Sequence, residues 1–471
     1  MGHRKSTIVL VLVIVSLFAL ASACASDGNP PVSTDGWTWI SGSHIANQAG
    51  VYGTKNTAAI SNIPGARSGA VSWVDSGGRL WLFGGMGFDS AGNQGLLNDL
   101  WRYDPTTLEW TWVSGSDCQY QAGVYGTKGT ADPHNSPGGR GLGACWIDSL
   151  GRLWLLGGQG QDSVGNQGWL NDLWRYDPTT FEWTWISGSH IANQAGLYGT
   201  KGTADLSNVP GGRNGAVSWT DSTGGLWLFG GMGLDSTGDY YSHLNDLWRY
   251  DPTTLAWTWA SGSNIRGQLG TYGTKGTADP LNVPGARHNA LSWVDSDDRL
   301  WLLGGAGKDS FGNIGYLNDL WLYRPETLEW TWVSGGNRAP QVGVYGTKGT
   351  ADPSNVPGSR ASAVCWIDPQ GKLWLFGGNG YCLIGPADIL NDLWKFDPIT
   401  LEWAWVSGSS MQFQPGIYGI KGIAASSNVP GARYGAVSWV DRSGKFWLFG
   451  GAGKDSAGND GSLNDLWRYS R

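Results

Sequence analysis

The chain has 471 residues, 40% of them apolar, 15% charged and 13% aromatic. So few charges beside so many aromatic side chains exclude an intrinsically disordered chain and a coiled coil. The 76 glycines lack the three-residue period of collagen, and a net charge of -7 leaves no global footprint for nucleic acid.

The first element in chain order is a targeting segment. Arg4 and Lys5 precede an apolar run from Ile8 to Leu20 that only Ser16 interrupts. Thirteen helical residues reach about 20 Å, short of the roughly 30 Å hydrocarbon core, which predicts a secretory signal over residues 1–23 rather than a transmembrane anchor. Ala21-Ser22-Ala23-Cys24 resembles a bacterial lipoprotein cleavage box, with Cys24 as the lipid-bearing first residue, although such boxes more often carry Leu at the place of Ala21. Residues 24–36, with Gly28, Pro30 and Pro31, then read as a flexible tether. The expected location is the cell envelope, as a membrane-anchored lipoprotein, with simple secretion or a periplasmic protein as the alternative.

From Trp37 onward the chain repeats itself. Asn-Asp-Leu-Trp recurs at Asn98, Asn171, Asn245, Asn318, Asn391 and Asn464, at spacings of 73 or 74 residues, and a Gly-Gly pair moves in step with it. Thirty of the 31 tryptophans fall at five places in each of six repeats. In the first full unit, Ser68 to Val74 reads as one strand, closed by the turn Asp75-Ser76-Gly77-Gly78. The continuous apolar run Leu80 to Phe83, ending in Gly84-Gly85, reads as a second strand buried on both faces. Leu100 to Tyr103 makes a third, and the alternating Glu109 to Val113 a fourth. Four short up-and-down strands form one propeller blade, so blades begin near residues 67, 140, 213, 287, 360 and 433. The last unit ends after its third strand, and residues 37–41 supply the missing fourth, which predicts an all-β, six-bladed β-propeller over residues 37–471, closed by its own N-terminal strand.

Gly-Gly, Asn-Asp-Leu-Trp-x-Tyr and the fourth-strand tryptophan resemble kelch repeats, as in galactose oxidase-like propellers, over residues 37–471. The family period is about 50 residues. The excess here is an insertion of about 25 residues before each blade, typified by Tyr125 to Ala131 and Asn135 to Arg140. These insertions and the loops after each second strand should share one face, opposite the short turns, and long loops on a rigid scaffold are where function concentrates.

Candidate binding residues follow from that placement. Arg67, Arg140, Arg213, Arg287, Arg360 and Arg433 open the innermost strands, and the resemblance to kelch domains that bind acidic peptides implies an anion-binding mouth. The competing reading pairs each arginine with the aspartate of Asn-Asp-Leu-Trp. Lys55, Lys128, Lys201, Lys275, Lys348 and Lys421 should make the long-loop face basic, while Asp75 and its five equivalents make the short-turn face acidic. Departures from six-fold symmetry mark Tyr240, Tyr241 and His243, Arg266 and His288, Arg338, and Tyr381 as further ligand-facing residues, all in blades three to five.

Catalysis and metals gain little support. The loop opening at Asp89, repeated at Asp162, Asp235, Asp309 and Asp455, offers two oxygen ligands where calcium takes six to eight, and an Asx turn explains it equally. His44 and His190 are equivalent positions in the inserted loops, and His134 stands alone. No galactose oxidase-type copper set of paired tyrosines and histidines is recognisable, and no cofactor is expected. Cys145 and Cys365 replace a serine three repeats apart, beyond disulfide reach, and are expected as free thiols packing like small apolar groups. The sequence thus predicts a non-enzymatic scaffold that binds a protein or glycan, acidic in character, through its long-loop face. The alternative is a glycan-directed enzyme of the sialic acid mutarotase type, which would need an acid/base pair in the mouth.

Overall fold

The computed structural model describes residues 36–239 and 242–470; the leader, the tether, Cys24, Tyr240 and Tyr241 lie outside the described residues. Six antiparallel sheets surround one axis, and no helix forms among the described residues. In each sheet the chain runs outward from an innermost first strand to a fourth at the rim, and the six innermost strands contact one another in a closed circle.

Blade two shows the pattern. Its first strand comes in two pieces, Arg140–Gly141 and Ala144–Ile147, because Leu142 between them adopts a left-handed backbone. The second strand, Leu153–Gln161, does not end at Gly157-Gly158 as the composition suggests. The register shifts there and pairing continues, so the glycine pair is a bulge. Both glycines have positive φ, and a Cβ on Gly157 would sit 2.6 Å from the carbonyl oxygen of Leu170. The third strand, Gln167–Asp177, is correspondingly long, so the loop between the two is shorter than expected.

The insertion does not stay on the long-loop face. It descends along the fourth strand, Glu182–Ser187, and adds a fifth strand, Ala131–Asp132, at the blade's outer edge. Blades three to five repeat this, and single bridges at Ala59↔Trp110 and Trp37↔Ala425 do so in blades one and six. Asn135 reinforces the contact by donating to the carbonyls of Trp183 and Thr130. The insertion thereby covers an edge that would otherwise invite pairing with another chain.

Ring closure is as expected. Gly36–Ser41 pairs with Asp460–Ser470 as the fourth strand of the last blade. Trp37 is 1% exposed, packed on Trp366, Phe376, Trp467 and Tyr469. The core lies in the six seams between blades; one joins Val71, Trp73, Trp81 and Phe83 to Leu153, Leu155, Trp174 and Trp183. Most seams are also stitched by an indole, as where Trp73 Nε1 donates to the carbonyl of Trp154 at 3.1 Å.

Two circular arrangements surround the axis. Gly69, Leu142, Gly215, Asn289, Ser362 and Gly435 all have positive φ. Each donates its N–H to the carbonyl of its counterpart in the preceding blade at 2.7–2.9 Å, so six peptide groups form a closed collar. Deeper in, Cys145, Ser218, Ser292, Cys365 and Ser438 each donate a thiol or hydroxyl to the corresponding carbonyl of the preceding blade. The two cysteines are free thiols, but as members of this ring they act as weak donors, not as apolar filler. Burial pushes their thiols up to about 11 and about 12, respectively, so both stay protonated.

Candidate functional site

The six arginines at the starts of the innermost strands are 1–3% exposed. Arg287 is typical: Nη1 and Nη2 each lie 2.7 Å from the two oxygens of Asp319, Nε donates to Gly285 O, and Nη1 also donates to Gly304 O. The same carboxylate accepts from Tyr272 of the insertion at 2.6 Å and from Trp321 Nε1 at 2.7 Å. Burial and the neighbouring carboxylate push the Tyr272 hydroxyl upward, so it remains a donor. Arg67, Arg140, Arg213, Arg360 and Arg433 repeat this hub on Asp99, Asp172, Asp246, Asp392 and Asp465. The arginine-lined anionic mouth therefore gives way to the pairing reading. Each hub ties the insertion and three strands of its own blade together, and each guanidinium is bonded to groups of its own blade.

The other charges are similarly engaged. Every inserted-loop lysine lies over the fourth-strand tryptophan of its blade, with Nζ 4.2–4.5 Å from the ring centre. Five also donate to a backbone carbonyl, as Lys275 does to Gly335. Their positive charge belongs to the outer rim, not to the mouth. On the short-turn face Asp75, Asp148, Asp221 and Asp295 each carry an arginine partner, which reduces the expected acidic character. The loop aspartates are turn residues: Asp162 Oδ1 accepts the N–H groups of Val164 and Asn166, and Oδ2 that of Ala192. Arg266 pairs with Asp239, and Arg338 stacks on Phe311. His44 and His190 pack edge-on against Tyr418 and Tyr125 and bond Ser456 and Ser163, which makes them supports of the loops.

What remains at the long-loop end is a row of three cross-strand partners in each blade, just beyond the Gly-Gly bulge. The rows are Ser68–Met86–Leu96, Gly141–Gln159–Trp169, Asn214–Met232–His243, His288–Ala306–Tyr316, Ala361–Asn379–Ile389 and Tyr434–Ala452–Ser462. Next to them in sequence, the arginine and the glycine opposite it are the same in all six blades. The rows differ from blade to blade, yet none of their eighteen positions holds Asp, Glu, Lys or Arg. The nearest lysines are occupied, Lys454 by Asp460 and Lys308 by the carbonyl of Gly312.

Within this mouth the structure brings together residues that the sequence left apart. The rings of His243 and His288 lie 4.9 Å apart at a 30° tilt, and His288 shares a hydrogen bond with the carbonyl of Ala306. Burial, His288 and Lys308 hold His243 down to about 4, and burial lowers His288 as well, so the pair is neutral at pH 7. Tyr316 meets Tyr381 at 6.4 Å, and burial beside Tyr381, Tyr434 and Asp388 raises its hydroxyl. On the blade two to three side, Gln159, Gln167, Gly168, Trp169, Asn193, Asn214 and Met232 line a cleft of about 640 Å³. Asn214 is 7% exposed, yet its carboxamide makes no hydrogen bond with any described residue. Sequence reasoning passed over this cleft, although a signal was present: the one tryptophan outside the six-fold pattern is Trp169.

The closed ring of six four-stranded blades defines a β-propeller. Two overlapping stretches, residues 54–261 and 199–418, match the family model described as the KLHDC2/KLHL20/DRC7 Kelch-repeats domain. Together they cover more than half of the sequence, and the chain belongs to the kelch-repeat family. Kelch propellers serve as protein-interaction scaffolds.

Proposed function

We propose that this chain is an exported, non-enzymatic kelch propeller of the galactose oxidase-like type, anchored through an acylated Cys24, that holds its partner in the long-loop mouth. The observation that carries this reading is the contrast between an invariant hub and variable rows: within one chain, sequence diversity concentrates where the blades open toward the axis. Long loops and strand ends on a rigid ring are suited to recognition. An acidic ligand is no longer favoured, because the arginines that would hold it are saturated within the blades. The test is affinity capture from whole-cell extract with the wild-type chain, with Tyr434→Ala and Tyr381→Ala in the mouth, and with Lys445→Glu on the short-turn face. Partners retained by the wild type and by the Lys445 variant, and lost by both mouth variants, support the reading. Capture unaffected by the mouth variants refutes it.

One observation favours the mutarotase-type alternative: two neutral imidazoles side by side at the mouth could serve as base and acid. A His243 held down to about 4 is a weak proton acceptor, so binding without turnover remains the primary reading. An anomer-exchange assay on free sugars separates the two.

A further inference from the structure

We infer that the cleft between blades two and three binds an uncharged sugar, with the carboxamide of Asn214 as its central contact. The inference rests on the mouth being the binding face and names the ligand class it takes there. Four carboxamides, those of Gln159, Gln167, Asn193 and Asn214, surround one cleft whose remaining wall includes Trp169 and Met232. A carboxamide both donates and accepts, as a sugar hydroxyl does, so adjacent amides can bridge vicinal hydroxyls in either hydrogen-bonding sense. Trp169 and Met232 supply the apolar wall that the C–H face of a pyranose requires. About 640 Å³ is within the range of small-ligand sites and suits an oligosaccharide end of two or three units.

Charge points the same way. Among the described residues no carboxylate, ammonium or guanidinium lines the cleft. A sialylated or phosphorylated ligand would therefore bring an anion to a site with nothing to pair it. Asn214 is the second, independent sign. The residue is 7% exposed, its carboxamide makes no hydrogen bond among the described residues, and it lines the cleft, so a bound hydroxyl would supply its hydrogen-bond partner. A peptide is the weaker fit, because extended peptides add to a free strand edge. Here the backbone flanking the cleft is already paired, with Gln159 opposite Trp169 and Gln161 opposite Gln167.

The experiment is saturation-transfer NMR on the full chain with maltotriose, cellotriose, xylotriose and chitotriose. The charged comparison is 3′-sialyllactose, and a capped Gly-Ser-Gly tripeptide represents a peptide ligand. At least one neutral trisaccharide should bind. Gln159→Ala, which is exposed and should fold normally, should weaken it at least fivefold, and Asn214→Leu at least tenfold. If no neutral trisaccharide binds, if binding survives both substitutions, or if only sialyllactose or the tripeptide binds, the assignment is overturned. Loss of the sugar assignment while Tyr434→Ala still abolishes partner capture would leave the mouth as a protein-binding face and remove only the inference drawn here.

Discussion

Replacing Arg287 with Met tests what the six hubs do. The substitution keeps much of the side-chain length and removes the charge, leaving the Asp319 carboxylate fully buried with Tyr272 and Trp321 as its remaining donors. Breaking a buried pair by removing one partner costs about 3–5 kcal/mol. Isolated buried pairs can often be replaced wholesale by apolar residues at no cost, so the double variant Arg287→Met/Asp319→Leu is the informative one. In this hub the pair also satisfies four other groups: the carbonyls of Gly285 and Gly304, the Tyr272 hydroxyl and the Trp321 indole. Each group left unpaired costs about 1–3 kcal/mol. Even if water reached two of them, the double variant should remain at least about 2–4 kcal/mol less stable than wild type. Urea unfolding followed by tryptophan fluorescence, run on both single variants and the double, provides the cycle. The same substitution at Arg67 should give the same loss within about 1 kcal/mol, because its hub is equivalent. A double variant within about 1 kcal/mol of wild type would show that the arginine and aspartate serve only each other.

Deleting residues 24–42 removes Trp37 and exposes the edge of Asp460–Ser470, so the truncated chain should aggregate and melt several degrees lower; an unchanged melting temperature would refute closure by the N-terminal strand. Wild-type protein should incorporate a palmitate analogue and partition into detergent, and Cys24→Ala should do neither; equal partitioning would leave only secretion. Gly215→Ala combines a φ of 59° with a Cβ 2.3 Å from Asn289 Oδ1, and should cost about 1–2 kcal/mol, most of it recovered by adding Asn289→Gly; no rescue would mean that the collar, not the contact, sets the cost. The lowered His243 makes the unfolded chain bind more protons between pH 6.5 and about 4, so stability should fall as pH drops through that window, and His243→Gln should flatten the slope as read by melting temperature against pH.

Much of the fold is legible because the same physical demands repeat six times. Gly-Gly, the Arg and Asp of the hub and the paired tryptophans each answer one steric or hydrogen-bonding requirement, and repetition separates those requirements from chance. The details that escaped depend on geometry no pattern states. The strands run through Gly84-Gly85 because a bulge, not a turn, absorbs the positive φ. Tyr52 and its equivalents look like loop aromatics, and only the folded insertion brings their hydroxyls onto the hub carboxylate. His243 and His288 are 45 positions apart and meet because the third strand of one blade lies beside the first strand of the next. The arginine ring was visible, but burial decides its meaning, and burial is a property of the assembled blade.

The rows raise the question of why they vary. One explanation is relaxation: positions outside the hub and the seams carry no structural demand, so the six copies drift apart there. Drift makes a definite forecast, because unconstrained surface positions fill with Asp, Glu, Lys and Arg to about 25–35%. Of the eighteen row positions only Gln159 and Tyr434 are exposed and seven are buried, so at that fraction about one charge at most is expected on the exposed pair, and drift accommodates an uncharged set. The second explanation is a neutral recognition surface, in which each blade offers a different contact to one uncharged ligand. Introducing a single charge at an exposed row position, Gln159→Glu, therefore separates the two explanations. Drift predicts normal stability and unchanged binding, whereas a neutral recognition surface predicts normal stability and loss of whichever partner or sugar the wild-type mouth retains.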